Sequence, residues 1–216
     1  MASRMRADAQ RNREQILCAA RDVLVAEGVD AALDEIARRA GVGIATLYRR
    51  FPNREALLQG VAVDILSRMV EAFDRVRAAQ TDPFEGLRLF MHAAVDLRIG
   101  AIMPALSGRF TVEGALSGAG RDPLRELQQL LGEAQEAGLV RGDVLVGDVT
   151  LMVIRLSRPL PGDVVPQDRD IAHRQLEIYL DGLRPAAARE RAIRLPGPAI
   201  GFAWFNKIRE RIAARD

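Results

Sequence analysis

The stretch that most constrains this chain covers residues 33–51, LDEIARRAGVGIATLYRRF, followed at once by PNREALL. Leu33, Ile36, Ala37 and Ala40 fall on one face at helical spacing, which predicts a short helix. Gly41 stands where a glycine can take the left-handed conformation that ends a helix. The interval Gly41-Val42-Gly43 leaves room only for a sharp turn. A second short helix is expected over residues 44–50, with Leu47 and Phe51 on one face. Pro52 ends it, because proline disfavours helical geometry in the residue before it. Two short helices joined by a tight glycine turn make a helix-turn-helix, whose second helix enters the major groove of DNA.

The charges agree with that reading. Arg38, Arg39, Arg49, Arg50 and Arg54 lie in this stretch, and no acidic residue occurs from Ile36 to Arg54. A basic segment with a small, exposed second helix suits phosphate contact, where each neutralised phosphate releases counterions. Net charge is divided along the chain: +2 over residues 1–60, −4 over 61–184 and +4 over 185–216. Positive ends and an acidic middle suit a DNA-facing head on a body that keeps away from phosphate.

At these residues the sequence resembles the tetracycline-repressor (TetR) family of bacterial transcriptional regulators. The matching features are Ile36-Ala37, Ala40-Gly41-Val42, Thr46-Leu47-Tyr48, Phe51 and Asn53-Arg54-Glu55-Ala56-Leu57. The resemblance implies an all-α fold: a three-helix DNA-binding head over residues 9–60 and a helical ligand-binding and dimerisation body over 61–184. A basic extension would occupy residues 185–216. It also implies a repressor that binds a palindromic double-stranded DNA operator as a homodimer and is released by a small-molecule effector. Dimer contacts would come from the last two body helices. Where the family often has serine at the entry to the recognition helix, this chain has Gly43, which offers only its backbone to a phosphate. The resemblance assigns Tyr48 and Arg54 to phosphates; the alternative for Tyr48 is a packed aromatic with a free hydroxyl. The candidate DNA-binding set is Gly43, Ile44, Ala45, Thr46, Tyr48, Arg49, Arg50 and Arg54. Ile44 and Ala45 suit a thymine methyl, and Thr46 either reads a base or caps locally and binds phosphate.

Taken in order, residues 1–10 are polar and are expected to fray, or to form a basic arm through Arg4 and Arg6. A first helix is expected over residues 9–27, with Ile16, Ala19, Ala20, Val23 and Leu24 inward. Its Cys18 reads as a buried thiol, with a redox switch as the alternative. One cysteine excludes a disulfide framework and a cysteine zinc site. A long helix over residues 53–79, capped by Asn53, joins head to body. Asp82-Pro83 starts a helix reaching residue 99 or 101, which Pro104 follows as an interruption, and then comes a weak helix over 105–115. Further helices are expected over 122–137, over 143–158 with Asp143 as cap, and over 167–183. Proline residues 159, 161 and 166 bound a loop. Beyond Pro185, Pro196-Gly197-Pro198 cannot be helical, and residues 199–214 suit an amphipathic helix docked loosely on the body.

The helix from Asp82 is apolar on more than one face yet carries His92, Asp96 and Arg98. Phe90, Met91, His92, Ala94 and Val95 are the candidate ligand-binding residues, since an adaptable apolar wall with few polar groups is the usual lining of a ligand site. The alternative makes Asp96 and Arg98 surface residues and His92 a satisfied core histidine. His92 and Asp96, one turn apart, suit a local hydrogen bond. No catalytic, metal or cofactor-binding residue is expected: Gly41-Val42-Gly43 lacks a βαβ context, Ser117 is not in a nucleophile elbow, and His92 and His173 lack metal spacing. No apolar run reaches the length of a membrane span and no signal peptide is evident, so a cytoplasmic protein without membrane partners is expected. A second reading is kept beside the regulator: a helical small-molecule-binding protein or enzyme with a degenerate head.

Overall fold

The computed structural model describes residues 2–80, 82–106, 112–159, 167–185, 195 and 200–213. Among them are eleven helices and no strand. They are α1 (Ala2–Glu27), α2 (Leu33–Arg39), α3 (Ile44–Arg50), α4 (Arg54–Ala78), α5 (Pro83–Asp96), α6 (Ile99–Leu106), α7 (Val112–Ala119), α8 (Pro123–Glu136), α9 (Val146–Leu156), α10 (Asp168–Gly182) and α11 (Phe202–Ala213). The loop prolines 161 and 166, the Pro196-Gly197-Pro198 run and part of the weak helix at 105–115 lie outside the described residues.

The starts are set by local chemistry. Asn53 accepts a hydrogen bond from the Ala56 N–H at 2.8 Å and opens α4. Asp82 accepts from the N–H groups of Phe84 and Glu85 at 3.0 and 3.1 Å, and Asp122 from that of Leu124 at 3.0 Å. Pro83 and Pro123 each follow as the first helical residue, where a missing N–H costs nothing.

Two apolar cores line up along α4. The head core joins Leu17, Ile36, Leu47, Phe51 and Leu57 and extends to Ile65; Ile102 and Leu106 of α6 pack into it. The body core takes over at Met69 and gathers Phe73, Leu87, Phe90, Leu130, Val149 and Leu176 from α4, α5, α8, α9 and α10. The same rigid helix therefore belongs to both cores.

Four expectations are corrected. α1 begins at Ala2, so the first residues continue the helix instead of fraying. Cys18 is exposed: Ile16, Leu17, Ala19 and Ala20 turn inward around it, and residue 18 is left on the outer arc. Pro104 lies inside α6 and does not interrupt it; the break falls at Leu97-Arg98, where Arg98 takes φ 51° and α6 bends away from α5 by 61°. Asp143 does not cap α9. It pairs with Arg141 at 2.6 Å, and Asp148, inside the first turn, accepts the Leu145 N–H at 2.8 Å instead.

The bend at Arg98 has a visible purpose. It seats Gly100 directly on α9, where a Cβ would stand 1.8 Å from the Ile154 carbonyl oxygen. The Gly100 N–H donates to Ser157 Oγ at 2.8 Å, and the Ser157 hydroxyl donates to the Val153 carbonyl at 2.7 Å. The C-terminal segment docks more firmly than expected. The Gly147 N–H donates to the Ile200 carbonyl at 2.9 Å, and Phe202 and Phe205 pack on the body core.

One buried group stands unsatisfied. The Tyr179 hydroxyl on α10 is buried without a hydrogen-bond partner among the described residues, and burial, with Asp148 nearby, pushes the phenol above its ordinary pKa. An unpaired buried hydroxyl costs about 1–3 kcal/mol. Tyr179→Phe is therefore expected to raise stability by roughly 1 kcal/mol in urea unfolding. A loss of that size would show that the hydroxyl has a partner.

Candidate nucleic-acid interface and body cavity

The head's geometry starts at the end of α2. Gly41 takes φ 68°; its N–H donates to the Arg38 carbonyl at 3.1 Å, and the Val42 N–H donates to the Ala37 carbonyl at 3.0 Å. This paired closure satisfies two end carbonyls and reverses the chain at once. Val42 then packs against the head core. Gly43 caps α3 by backbone alone, its carbonyl accepting from Thr46 and Leu47 at 2.8 and 3.2 Å.

α3 is anchored from within and open outside. Leu47 is completely buried and Phe51 nearly so. Phe51 lies on Gly60 of α4, where a Cβ would approach its ring to 2.6 Å. Ala45, Tyr48, Arg49 and Arg50 are exposed, and Thr46 is half-buried with its Oγ1 3.3 Å from an Arg49 nitrogen. Ile44 leans back on the head core, so it is less available than Ala45. Arg54, at the first position of α4, donates to the Val29 carbonyl at 2.9 Å and so ties α4 to the loop before α2. Arg38 makes two 2.7 Å hydrogen bonds to Glu35, whose carboxyl these hold below its usual pKa, and Arg39 lies 3.5 Å from the same carboxylate. The basic charge of α2 is therefore partly spent; that of α3 points outward.

A Cβ on Gly43 meets nothing within 4 Å, and its φ of −67° suits any residue. Gly43→Ser is expected to gain a side-chain cap of ~0.3 kcal/mol and to tighten DNA binding by adding a hydroxyl beside α3. Titration of a labelled duplex selected by the protein from a randomised pool checks this; weaker binding would mean that the hydroxyl is not near phosphate.

In the body, a cavity of about 230 Å³ opens between α4, α5, α6, α8 and α9. Phe90, Met91 and Ala94 line it, together with Ile65 and Met69 of α4 and Phe205 of α11. His92 and Val95 do not. Val95 belongs to the body core, and His92 points to another side of α5. There His92 Nε2 meets Glu177 Oε1 at 2.6 Å, and its Nδ1 meets His173 Nδ1 at 2.6 Å. His173 Nε2 reaches Asp96 Oδ1 at 2.8 Å. His92 and Asp96 are thus joined through His173 and not to each other. With both Nε2–H groups directed at carboxylates, the Nδ1 contact is a hydrogen bond only when one ring also carries a proton there. Arg88 holds the Glu177 carboxyl below its usual range against some burial, helped by His92. Burial would raise Asp96, but hydrogen bonds from Arg169 and His173 outweigh it and lower it. This network clamps α5 to α10. It was illegible in the sequence because its histidines stand 81 positions apart. Among the described residues no group of three or more His, Cys, Asp or Glu is placed to hold a metal ion.

A helix-turn-helix head carried by one long helix into a hollow helical body is the build of a DNA-binding transcriptional regulator. The model for bacterial regulatory proteins of the tetR family matches residues 16–61, and that for the C-terminal domain of SbtR-like transcriptional regulators matches residues 82–185. A TetR transcriptional regulator from Streptomyces coelicolor is 33% identical with a TM-score of 0.56, over 80% of this chain and 98% of that one. A TetR regulatory protein from Mycobacterium vanbaalenii is 36% identical with a TM-score of 0.55, over 83% of this chain and 99% of that one. The curated relative SrpR of Pseudomonas putida, an HTH-type transcriptional regulator, is 45% identical over 62 residues, which span 28% of this chain and only 29% of that protein. The chain belongs to the TetR family of bacterial transcriptional regulators.

Proposed function

We propose that the protein is a ligand-responsive repressor that binds a palindromic operator as a homodimer in the cytoplasm and is released when a small molecule fills the body cavity. One observation carries this reading: α4 begins at Arg54, beside the recognition helix, and its Ile65, Leu66 and Met69 form a wall of the cavity. A ligand that favours a different seat for α4 moves the head with it. In a dimer the two α3 helices must meet successive major grooves about 34–36 Å apart, so a small change in spacing is enough to lose one half-site. DNA and effector then oppose each other reciprocally, typically by ~1–3 kcal/mol.

Within this reading Ala45, Thr46 and Arg49 face base edges, with Ile44 beside them, while Gly43, Tyr48, Arg50 and Arg54 address phosphates. The exposure of Ala45, Tyr48, Arg49 and Arg50 supports these roles. The dimer would form through α9 and α10. Ile178 of α10 supports this, standing 63% exposed as a large apolar side chain. Sedimentation of the protein with its selected duplex tests the arrangement. Two protomers per duplex are expected, and Ile178→Glu should leave monomers that bind poorly. One protomer per duplex, or an unaffected variant, would refute the dimer.

A further inference from the structure

The ligand-responsive reading leaves open what the cavity takes, and its walls are selective. Met69, Met91 and Met103 supply soft, adaptable surface, and Phe90 and Phe205 supply ring faces. Among the described residues that line it there is no Lys, Arg or His. Two helices begin beside it, and their first N–H groups are engaged: Asp122 accepts the Leu124 N–H of α8 at 3.0 Å, and Ser157 Oγ accepts the Gly100 N–H of α6 at 2.8 Å. An anion would therefore find no counter-charge among the described lining residues. Thr150 is the one hydroxyl among the described lining residues, and it donates to the Val146 carbonyl at 2.7 Å. What remains to a ligand is the oxygen's acceptor capacity.

We infer that the cavity takes a small uncharged aromatic or alicyclic molecule offering at most one hydrogen-bond donor, which goes to Thr150, and that Phe205 of the C-terminal helix closes over it. Size points the same way. An apolar cavity of about 150 Å³ accommodates benzene, so one of this volume suits a fused two-ring system. Phe205 is held against the cavity because its segment is stitched to α9: a Cβ on Gly147 would stand 2.1 Å from the Ile200 carbonyl oxygen, so backbone meets backbone there.

The test uses three matched probes: naphthalene, 2-naphthol and 2-naphthoate. Calorimetry on the full chain is expected to show both uncharged probes binding, with 2-naphthoate weaker by about tenfold or more, the penalty of an unpaired charge in an apolar site. Thr150→Val should erase the preference for 2-naphthol over naphthalene. Phe205→Trp, which adds bulk at the cavity, should weaken both by about tenfold, and Phe205→Ala should speed their exchange. Equal binding of 2-naphthoate, no binding of either uncharged probe, or indifference to Phe205→Trp would overturn the inference. Release from the selected duplex is read in parallel. Binding in the expected pattern without release would support the cavity's chemistry and defeat the ligand-responsive reading. Release by 2-naphthoate would do the reverse.

Discussion

Gly100→Ala is expected to cost about 3 kcal/mol or more of stability, the upper end of overpacking effects. The added methyl would stand 1.8 Å from the Ile154 carbonyl oxygen and 2.6 Å from Ser157 Oγ. Neither neighbour is the far end of a flexible side chain. Relief would have to come from parting α6 from α9, which breaks the Gly100–Ser157 hydrogen bond and leaves the Gly100 amide to find a new partner. Because α6 also carries Ile102 and Leu106 into the head core, the damage should reach DNA binding as well as body stability. Denaturant unfolding at unchanged m-value measures the loss. A change under about 0.5 kcal/mol would mean that α6 and α9 do not meet in this way.

The second large effect is on DNA alone. Arg50→Glu places a carboxylate at an exposed position in the last turn of α3. Against phosphate, such a reversal is expected to lower affinity by about a hundredfold, since juxtaposed like charges cost several kcal/mol. Folding should hardly change; the loss of a cation at a helix C-terminus amounts to about 0.3–1 kcal/mol. Anisotropy of the selected duplex, together with a melting curve, separates the two. Near-normal affinity would remove Arg50 from the interface.

The head was legible because its signals are local and redundant. Apolar spacing from Leu33 to Phe51, a glycine turn and a proline stop agree with one another, and α2 and α3 fall within a residue of the expected limits. The caps at Asn53 and Asp82 were legible for the same reason. The body resisted where long-range contacts override local rules. The break between α5 and α6 is made by Arg98 in a conformation that usually signals glycine, and what demands it is the fit of Gly100 on α9. Pro104 looked like a stop, but α6 runs past it between two packed surfaces. Asp143 looked like a cap, but Arg141, two residues away, claims it.

The cavity in the body shows the same limit more sharply. Phe90, Met91 and Ala94 stood out because adaptable apolar residues crowd one helix, and they do line the cavity. His92 stood out as a polar group among them, yet it turns toward α10 and joins Glu177 and His173. Periodicity assigns a residue to a helix face but does not say whether a neighbour or a void lies opposite.

This head is expected to hold DNA chiefly by neutralising the charge of the phosphates with its arginines. The most direct test is the affinity of the unmodified protein for its selected duplex, followed across a series of salt concentrations. Specific, tight binding is predicted, with the logarithm of the association constant falling linearly with the logarithm of salt by about 0.9 for each phosphate neutralised. Weak binding that ignores salt would contradict the account and leave a helical small-molecule-binding protein whose head no longer meets DNA.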